Sequence, residues 1–301
     1  MLTRLRHILE MIRFSHTLFA LPFALLAGVM AWALNSQSVP PVAWRWQELA
    51  GIICCMVFAR SAAMSFNRLA DWRLDARNPR TERRHIPSGL LTWNSVALFF
   101  AVCAIGFVAS TLWFLPNRLP LYLSLPVLAW ICGYSFAKRF TSFAHFWLGA
   151  ALMLAPISAW IAVRGHFVQT DITDLLPSLV LGGAVLHWVA GFDIIYACQD
   201  FAVDRREGLH SVPAALGVPR ALRLAAACHA AMIGLLLYLP FTYPLLGGIY
   251  WTGIAAVALL LIYEHWLVRP DDLTRVNAAF FHVNAIISAG LLLLGAVDLW
   301  W

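Results

Sequence analysis

Residues 67–89 read Asn67-Arg-Leu-Ala-Asp71-Trp-Arg-Leu-Asp75-Ala-Arg-Asn-Pro-Arg-Thr-Glu-Arg-Arg-His-Ile-Pro87-Ser-Gly89. This stretch carries three acidic and six arginine side chains, although only 12% of the whole chain is charged. Asn67, Asp71 and Asp75 are spaced four residues apart, so on a helix they lie on one face and can reach one small ligand. A long apolar run precedes them, which places all three near the end of a helix.

A second stretch repeats this pattern much later in the chain. Tyr196, Asp200 and Asp204 are again four residues apart at the end of an apolar run, and Arg205 and Arg206 open the basic loop that follows. Mg²⁺ prefers hard oxygen ligands and commonly joins carboxylates to substrate phosphates. The two stretches therefore predict a site for Mg²⁺ and a diphosphate, unless each is an ordinary polar helix end paired with nearby arginines. The predicted catalytic and metal-binding residues are Asn67, Asp71, Asp75, Asp200 and Asp204.

The composition indicates a membrane protein. The 301 residues are 61% hydrophobic with a mean hydropathy of +0.75, whereas soluble domains are about 45–50% apolar. The first basic segment leads into an apolar run without a small-residue cleavage site, which favours a spanning helix over a cleaved signal. The six cysteines lie in apolar runs, and we expect core thiols.

At about twenty apolar residues per span, the sequence predicts an all-α integral membrane protein with nine transmembrane helices. The predicted spans are 15–34, 47–70, 91–115, 119–137, 142–164, 175–199, 219–240, 245–267 and 277–299. No linker or shift in composition marks a boundary, so residues 1–301 are expected to form a single domain.

The distribution of basic residues predicts the orientation. Lys and Arg crowd the N-terminal segment and the loops after the second, fourth, sixth and eighth helices, while the opposite loops hold only Arg45, Arg118 and Arg164. By the positive-inside rule, the N-terminus and both acidic motifs face the cytoplasm. The formal net charge of +6 thus indicates membrane orientation rather than a nucleic-acid partner.

Two charged residues lie deeper in the apolar runs. Arg60 precedes Asn67 by seven residues, about two helical turns, and an unpaired guanidinium there would be costly. We expect Arg60 to face a cavity and meet an anion, either the carboxylate of a second substrate or Asp193. Asp193 itself precedes Asp200 by seven residues and is expected to contact Arg60 or to help deprotonate a substrate.

Other polar residues have a structural alternative to a role in the site. Several basic residues beside the motifs could bind phosphate oxygens, although topology and lipid contact explain most such charges: Arg77, Arg83, Arg84, Lys138, Arg205 and Arg206. Four histidines occur singly among apolar or aromatic residues, and we expect hydrogen-bonded packing roles for them: His16, His145, His187 and His282.

The two acidic motifs resemble the two signatures of the UbiA-type intramembrane aromatic prenyltransferases, and the likeness covers nearly the whole chain. The segment 134–141, Tyr134-Ser-Phe-Ala-Lys138-Arg139-Phe-Thr141, resembles that family's loop between helices 4 and 5. The segments 14–22 and 191–200 are most similar to the 4-hydroxybenzoate polyprenyltransferase branch, including relatives of the futalosine route to menaquinone. Arg68 departs from the pattern, because several relatives carry Asp there.

The resemblance implies a nine-helix bundle around a central cavity that opens sideways to lipid and is capped by the two motif loops. It assigns the Mg²⁺–diphosphate role to the five motif residues named above and a phosphate contact to Lys138. Arg60 would meet the carboxylate of the aromatic acceptor. The substrate-binding residues expected in all are Arg60, Lys138, Arg77, Tyr196, Asp193 and Arg205.

The implied activity is Mg²⁺-dependent transfer of a polyprenyl group to a 4-hydroxybenzoate-like acid in quinone biosynthesis, ubiquinone or menaquinone, at the bacterial inner membrane. No nucleic-acid or obligate protein partner is expected. A naphthoate, haem or chlorophyll-type acceptor remains an alternative. An alcohol phosphotransferase would normally show an Asp-Gly dipeptide, which this sequence lacks. A non-enzymatic transporter would place polar residues near the midplane rather than at one membrane face.

Overall fold

The computed structural model describes residues 2–12 and 19–300, with side chains for 6–12, 19–277 and 281–300. Eight helical segments in this part of the chain are long and apolar enough to cross a membrane, and a ninth apolar helix, Leu21–Gln37, is shorter. The predicted all-α membrane architecture is therefore confirmed, and the expected nine spans are close to the eight found. The first predicted span began at residue 15, which lies outside the described residues together with His16.

The helices are numbered here in chain order. They are α1 (Leu2–Ile12), α2 (Leu21–Gln37), α3 (Trp46–Asp75), α4 (Trp93–Ser110), α5 (Leu119–Ala137), α6 (Ala144–Thr170), α7 (Leu176–Ala197), α8 (Phe201–Arg206), α9 (Val212–Leu216), α10 (Val218–Thr242), α11 (Gly248–Leu267), α12 (Val276–Ala278) and α13 (Asn284–Asp298). Short 3₁₀ turns extend α4 (Thr111–Phe114), precede α7 (Ile172–Leu175) and join α7 to α8 (Cys198–Asp200), and a π-helical turn (Ala279–Val283) leads into α13.

The helix starts follow from local sequence. A proline occupies the first turn of α2, α5, α7 and α10, where its missing N–H is no loss and its fixed φ suits the helix. Thr92 caps α4 by accepting a hydrogen bond from the Ser95 amide at 3.2 Å. Gly217 separates α9 from α10 at φ +78°, a backbone conformation that favours glycine. These residues fix where the spans begin.

The length of α3 determines where the first acidic motif lies. This helix has 30 residues, and at 1.5 Å per residue it is about 45 Å long. The hydrocarbon core of a bilayer is only about 30 Å thick. The last turns of α3, which carry Asp71 and Asp75, therefore extend beyond the apolar core toward a polar membrane surface.

Helix α7 lies at the centre of the bundle and packs along α6 and α10. Trp188 of α7 is fully buried, with Phe23 and Phe192 at ring-centroid distances of 5.1 and 5.0 Å. Its indole Nε1 donates to Asn284 Oδ1 at 2.6 Å, and Asn284 Nδ2 donates to Glu264 Oε1 at 3.2 Å. These contacts tie α7 to α13 and α11, so the face of α7 that carries Asp193 and Tyr196 has a fixed orientation.

Gly149 allows α6 to approach α7 closely, and this contact supports a stability prediction. A Cβ atom at this position would clash with the backbone carbonyl of Leu186. We expect Gly149→Ala to lower the free energy of unfolding by about 1–3 kcal/mol, because the helices must separate. Thermal unfolding in detergent would measure the loss. Gly234→Ala on α10 is the matched control, since a Cβ there meets open space; equal stability of the two variants would contradict the prediction.

Candidate active site

A cavity of about 340 Å³ lies among α2, α3, α4, α5, α6 and α7. Most of its wall is apolar and includes aromatic side chains such as Phe107 and Phe114. Its charged, amide and phenol side chains come from α3, α5, α7 and the loop after α3, and they are Arg60, Asn67, Arg68, Arg84, Tyr134, Asp193 and Tyr196. An apolar pocket with a few convergent polar groups is the usual form of a small-molecule site.

The first acidic motif begins at the wall of this cavity, where Asn67 lies. Asn67 Nδ2 donates to Asp71 Oδ2 at 2.8 Å, so the predicted one-face arrangement of the motif is present. Arg139, from the loop after α5, donates to the other Asp71 oxygen at 3.0 Å. Arg84, from the loop after α3, donates to Asp75 Oδ1 at 2.6 Å. Each carboxylate of the motif thus has an arginine partner from outside α3.

The second motif has the same character. Arg80 binds Asp200 through two hydrogen bonds, Nε to Oδ1 at 2.8 Å and Nη2 to Oδ2 at 2.6 Å. Arg80 Nη1 also donates to the Tyr196 hydroxyl at 3.0 Å. Lys138 Nζ lies 3.7 Å from Asp204 Oδ2. Both aspartates are buried, where an unpaired carboxylate would be costly.

Arg80 connects the loop that follows the first motif to the second motif. It follows Asp75 by five residues along the chain, yet its guanidinium binds Asp200 of the second motif. Loss of hydration at this guanidinium would lower the pKa of Arg80, but the hydrogen bonds and charge of Asp200 outweigh it and raise that pKa above its ordinary value. In addition, Arg206 Nη2 donates to the Arg77 carbonyl at 3.4 Å. The structure therefore brings both acidic motifs to the same end of the bundle.

The donor set fits a hard divalent cation. Four carboxylates and one amide lie at this end of the bundle, and oxygen ligands of this kind suit Mg²⁺. Two buried carboxylate oxygens, Asp75 Oδ2 and Asp204 Oδ2, accept no hydrogen bond from the described residues. Their neighbouring cations are Arg68 Nη1 at 3.5 Å and Lys138 Nζ at 3.7 Å, both beyond hydrogen-bond range. These oxygens are available as metal ligands.

Arg68 is the position at which the first motif departs from the signature that it resembles. It is buried, and its guanidinium lies beside Asp75 of the same motif. The first motif therefore holds a cation where a third carboxylate would otherwise add negative charge.

Arg60 and Asp193 line the cavity but do not form the ion pair considered from sequence. Asp193 Oδ2 lies 2.7 Å from Nδ1 of the fully buried His145. His145 Nε2 accepts from the Val212 amide at 3.3 Å, which leaves the imidazole proton on Nδ1, facing Asp193. Arg60 Nε is buried and has no hydrogen-bond partner among the described residues. A guanidinium inside an apolar wall is thus available to an anion in the cavity.

Two residues predicted to bind substrate lie away from these contacts. Arg77 is exposed, with Nη1 3.8 Å from Glu207 Oε2. Arg205 is also exposed, and its guanidinium lies over the Phe201 ring at 5.7 Å. A role for either in binding substrate stays a prediction.

Sequence reasoning did not single out Arg80 or Arg139, which directly contact the motif aspartates. Spacing could not identify them, because each contact is made across loops rather than along one helix. Both are among the basic residues near the motifs, and nothing in the sequence distinguishes them there from Arg77.

The other histidines expected in packing roles differ in their surroundings. His187 Nδ1 lies 2.8 Å from the Gly183 carbonyl one turn earlier, and the His282 ring lies 5.8 Å from that of Phe281. Both are consistent with packing. His145 is also hydrogen-bonded, but its partner Asp193 lines the cavity, so it belongs to the site's support. The six cysteines are free thiols in the helical bundle.

Comparison with known proteins gives consistent results. The model of the UbiA prenyltransferase family matches residues 16–286. A 4-hydroxybenzoate octaprenyltransferase of Marinobacter nauticus is 32% identical over 230 residues, 75% of this chain and 74% of the relative. The apo structure of a UbiA homolog from Aeropyrum pernix K1 is 30% identical, covers 92% of this chain and 97% of its own, and superimposes with a TM-score of 0.81.

A more distant structure shares the fold. It is a UbiA homolog from Archaeoglobus fulgidus bound to DMAPP and Mg²⁺, with 17% identity, coverage of 97% of this chain and 99% of its own, and a TM-score of 0.72. Nearly the full length of the chain is matched by these comparisons, and the two acidic motifs lie within the matched region. This chain therefore belongs to the UbiA prenyltransferase family.

Proposed function

We propose that this protein is an aromatic prenyltransferase that moves a polyprenyl group from an isoprenyl diphosphate to a 4-hydroxybenzoate-like acid. The proposal is supported by two largely buried acidic motifs, each with basic partners, that lie at one end of the bundle, where Asn67 and Tyr196 line an apolar cavity. The relative from Marinobacter nauticus, named for the same class of reaction, supports the choice of acceptor.

The polar end of the cavity suits the diphosphate. Asp71, Asp75, Asp200 and Asp204 would hold Mg²⁺ through carboxylate oxygens, with Asn67 beside them. Bound there, Mg²⁺ supplies charge neutralisation to the departing diphosphate. Each basic partner is paired with a carboxylate in this structure. Arg and Lys side chains also bind phosphate oxygens. Once a cation and a diphosphate are bound, these side chains would turn to the phosphate oxygens: Arg80, Arg84, Lys138 and Arg139.

The apolar wall suits the prenyl group. When the allylic C–O bond breaks, its electron pair leaves with the diphosphate and a resonance-stabilised carbocation remains. Water would quench that cation, and the apolar residues around it exclude water. Aromatic side chains line the wall, including Phe107, Phe114 and Tyr134, and the π face of an aromatic ring attracts a positive charge.

The acceptor would lie between Arg60 and the acidic motifs. Its carboxylate would bind the guanidinium of Arg60, which directs the ring toward the allylic carbon. The ring carbon beside the hydroxyl group forms the new C–C bond and then loses its proton. Asp193, held by His145 at 2.7 Å, is the carboxylate placed to assist that proton's departure.

The apolar helices and the distribution of basic residues indicate where the protein lies in the cell. The chain is an integral membrane protein, and the distribution of basic residues favours the bacterial inner membrane with the N-terminus and both motifs toward the cytoplasm. The prenylated product would leave sideways into lipid. The substrates are an isoprenyl diphosphate and an aromatic acid, and no protein partner is required by this mechanism.

Incubation of purified protein in detergent with Mg²⁺, isoprenyl diphosphates of several lengths and a panel of aromatic acids tests the proposal. Mass spectrometry should detect 4-hydroxybenzoate carrying one prenyl group ortho to the hydroxyl. Omission of Mg²⁺ should abolish the product. Prenylation of a naphthoate or a porphyrin instead would show that the acceptor is assigned wrongly. Transfer to no acceptor under any condition would overturn the proposed reaction.

A further inference from the structure

A second cluster of metal-ligand side chains lies outside the cavity, between α1 and the loop after α3. His7 and Glu10 are three residues apart on α1 and therefore share a face, and His85 lies opposite them. One donor atom from each residue lies within 4.8 Å of the other two. These residues belong to neither acidic motif, and their donors are two imidazoles and one carboxylate.

Packing beneath the cluster fixes α1 against the loop. Met11 and Ile12, at the end of α1, are buried in one apolar cluster with Leu91 and Val96. Glu10 and His85 adjoin these contacts along the chain. The approach of α1 to the loop is therefore supported by apolar burial, and the half-buried His7 and His85 and the exposed Glu10 lie at the edge of this packed junction.

The distances within the cluster are too long for hydrogen bonds. His7 Nδ1 lies 3.5 Å and His85 Nε2 lies 3.8 Å from the same oxygen, Glu10 Oε2, whereas N–H···O bonds are about 2.7–3.2 Å. Ligands about 2.0–2.2 Å from a tetrahedral Zn²⁺ lie roughly 3.4 Å from one another. The two separations from Glu10 Oε2 are close to that value, and the two imidazole donors lie within 4.8 Å of each other, so a modest closure of the side chains would let all three share an ion.

The hydrogen bonding of the donor atoms also agrees with a shared metal ion. His7 Nδ1 is buried and has no hydrogen-bond partner in the described part of the chain. Arg6 Nε donates to Glu10 Oε1 at 2.8 Å, which leaves Oε2 facing the two imidazoles. Glu10 Oε1 is thus paired with Arg6 of the same helix, and Glu10 Oε2 is available as a metal ligand.

We propose that His7, Glu10 and His85 bind one Zn²⁺-class divalent cation, with water completing the coordination. Imidazole nitrogen suits Zn²⁺ and its neighbours in the transition series, whereas the all-oxygen acidic motifs suit Mg²⁺. The ion links α1 to the loop that supplies Arg80 and Arg84 to the candidate active site. The site thereby stabilises the position of that loop, and it does not depend on which acceptor the enzyme uses.

Zn²⁺ titration tests the proposal on full-length protein purified in detergent without a polyhistidine tag. Excess Mg²⁺ should be present throughout to saturate the acidic motifs. We expect one Zn²⁺ per chain by calorimetry, and a rise in the melting temperature on adding Zn²⁺. Co²⁺ should give the visible absorption bands of a tetrahedral site with mixed nitrogen and oxygen ligands, and Zn²⁺ should displace it.

Three single variants and one control distinguish this site from other binding. His7→Gln, Glu10→Gln and His85→Gln should each weaken Zn²⁺ binding by at least about 100-fold, since even an outer-shell change costs 10–100-fold. His166→Gln, an exposed histidine on α6, should bind as wild type does. Gel filtration and circular dichroism would establish that each variant is folded. Absence of Zn²⁺ binding by the wild type, or equal binding by folded His85→Gln, would overturn the proposal.

Discussion

Asp200→Asn should lower kcat/KM for the isoprenyl diphosphate by at least about 1000-fold, a loss of roughly 4 kcal/mol of transition-state stabilisation. Asp200 is buried, and it binds Arg80 of the first motif's loop through two hydrogen bonds. An amide of the same size removes one negative charge from the proposed cation site. It also leaves Arg80 without its charged partner.

Steady-state kinetics at varied Mg²⁺ would separate a role in cation binding from a general structural defect. The Mg²⁺ concentration for half-maximal rate should rise in Asp200→Asn, and Asp75→Asn should behave in the same way. Asp271→Asn, at an exposed carboxylate in the loop between α11 and α12, is the matched control and should retain full activity. A folded Asp200→Asn enzyme with ordinary activity and Mg²⁺ dependence would contradict the assignment.

Arg60→Ala should raise KM for the aromatic acid by about 10–100-fold and leave KM for the prenyl diphosphate nearly unchanged. The reason is that hydrogen bonds to a charged group contribute about 1.5–3 kcal/mol. Arg60 lines the cavity two turns from Asn67, and its Nε has no partner among the described side chains. Arg68 and Arg84 also line the cavity, but both lie beside Asp75, so a carboxylate bound near Arg60 would depend mainly on the Arg60 guanidinium.

The methyl ester of 4-hydroxybenzoate provides the control for Arg60, because it lacks the negative charge. Wild type and Arg60→Ala should use the ester with similar, low efficiency, so that the difference between them disappears. Arg60→Lys should recover part of the affinity for the acid, since it keeps the charge without the planar pair of donors. An increase confined to KM for the prenyl donor would instead remove Arg60 from the acceptor site.

The sequence predicted the membrane bundle and the acidic motifs because both are local patterns. Apolar runs of spanning length determine helices such as α5, whose predicted bounds, 119–137, match those found. The spacing of Asn67 and Asp71 determines their shared face, and the 2.8 Å hydrogen bond between them follows directly. Such features depend on neighbouring residues only.

Contacts between distant segments could not be read from spacing. The sequence indicates for Asp193 a contact with Arg60 or a role in deprotonating a substrate, whereas its pairing with His145 depends on how α6 packs against α7. Apolar runs of spanning length do not predict the amphipathic α1, because this helix has only 11 residues and carries Arg6 and Glu10. His7 and His85 consequently gave no signal of proximity. That residues 1–301 form a single domain stays a prediction.

We expect the two acidic motifs to hold one cation-bound diphosphate between them. A crystal structure with Mn²⁺ in place of Mg²⁺ and an inert thiolo-diphosphate analogue of the prenyl donor tests it most directly. Anomalous scattering should locate Mn²⁺ in contact with the analogue, with carboxylate ligands from both the 71–75 and the 200–204 segments. Mn²⁺ and analogue bound to one segment alone, or bound at separate places, would contradict the account.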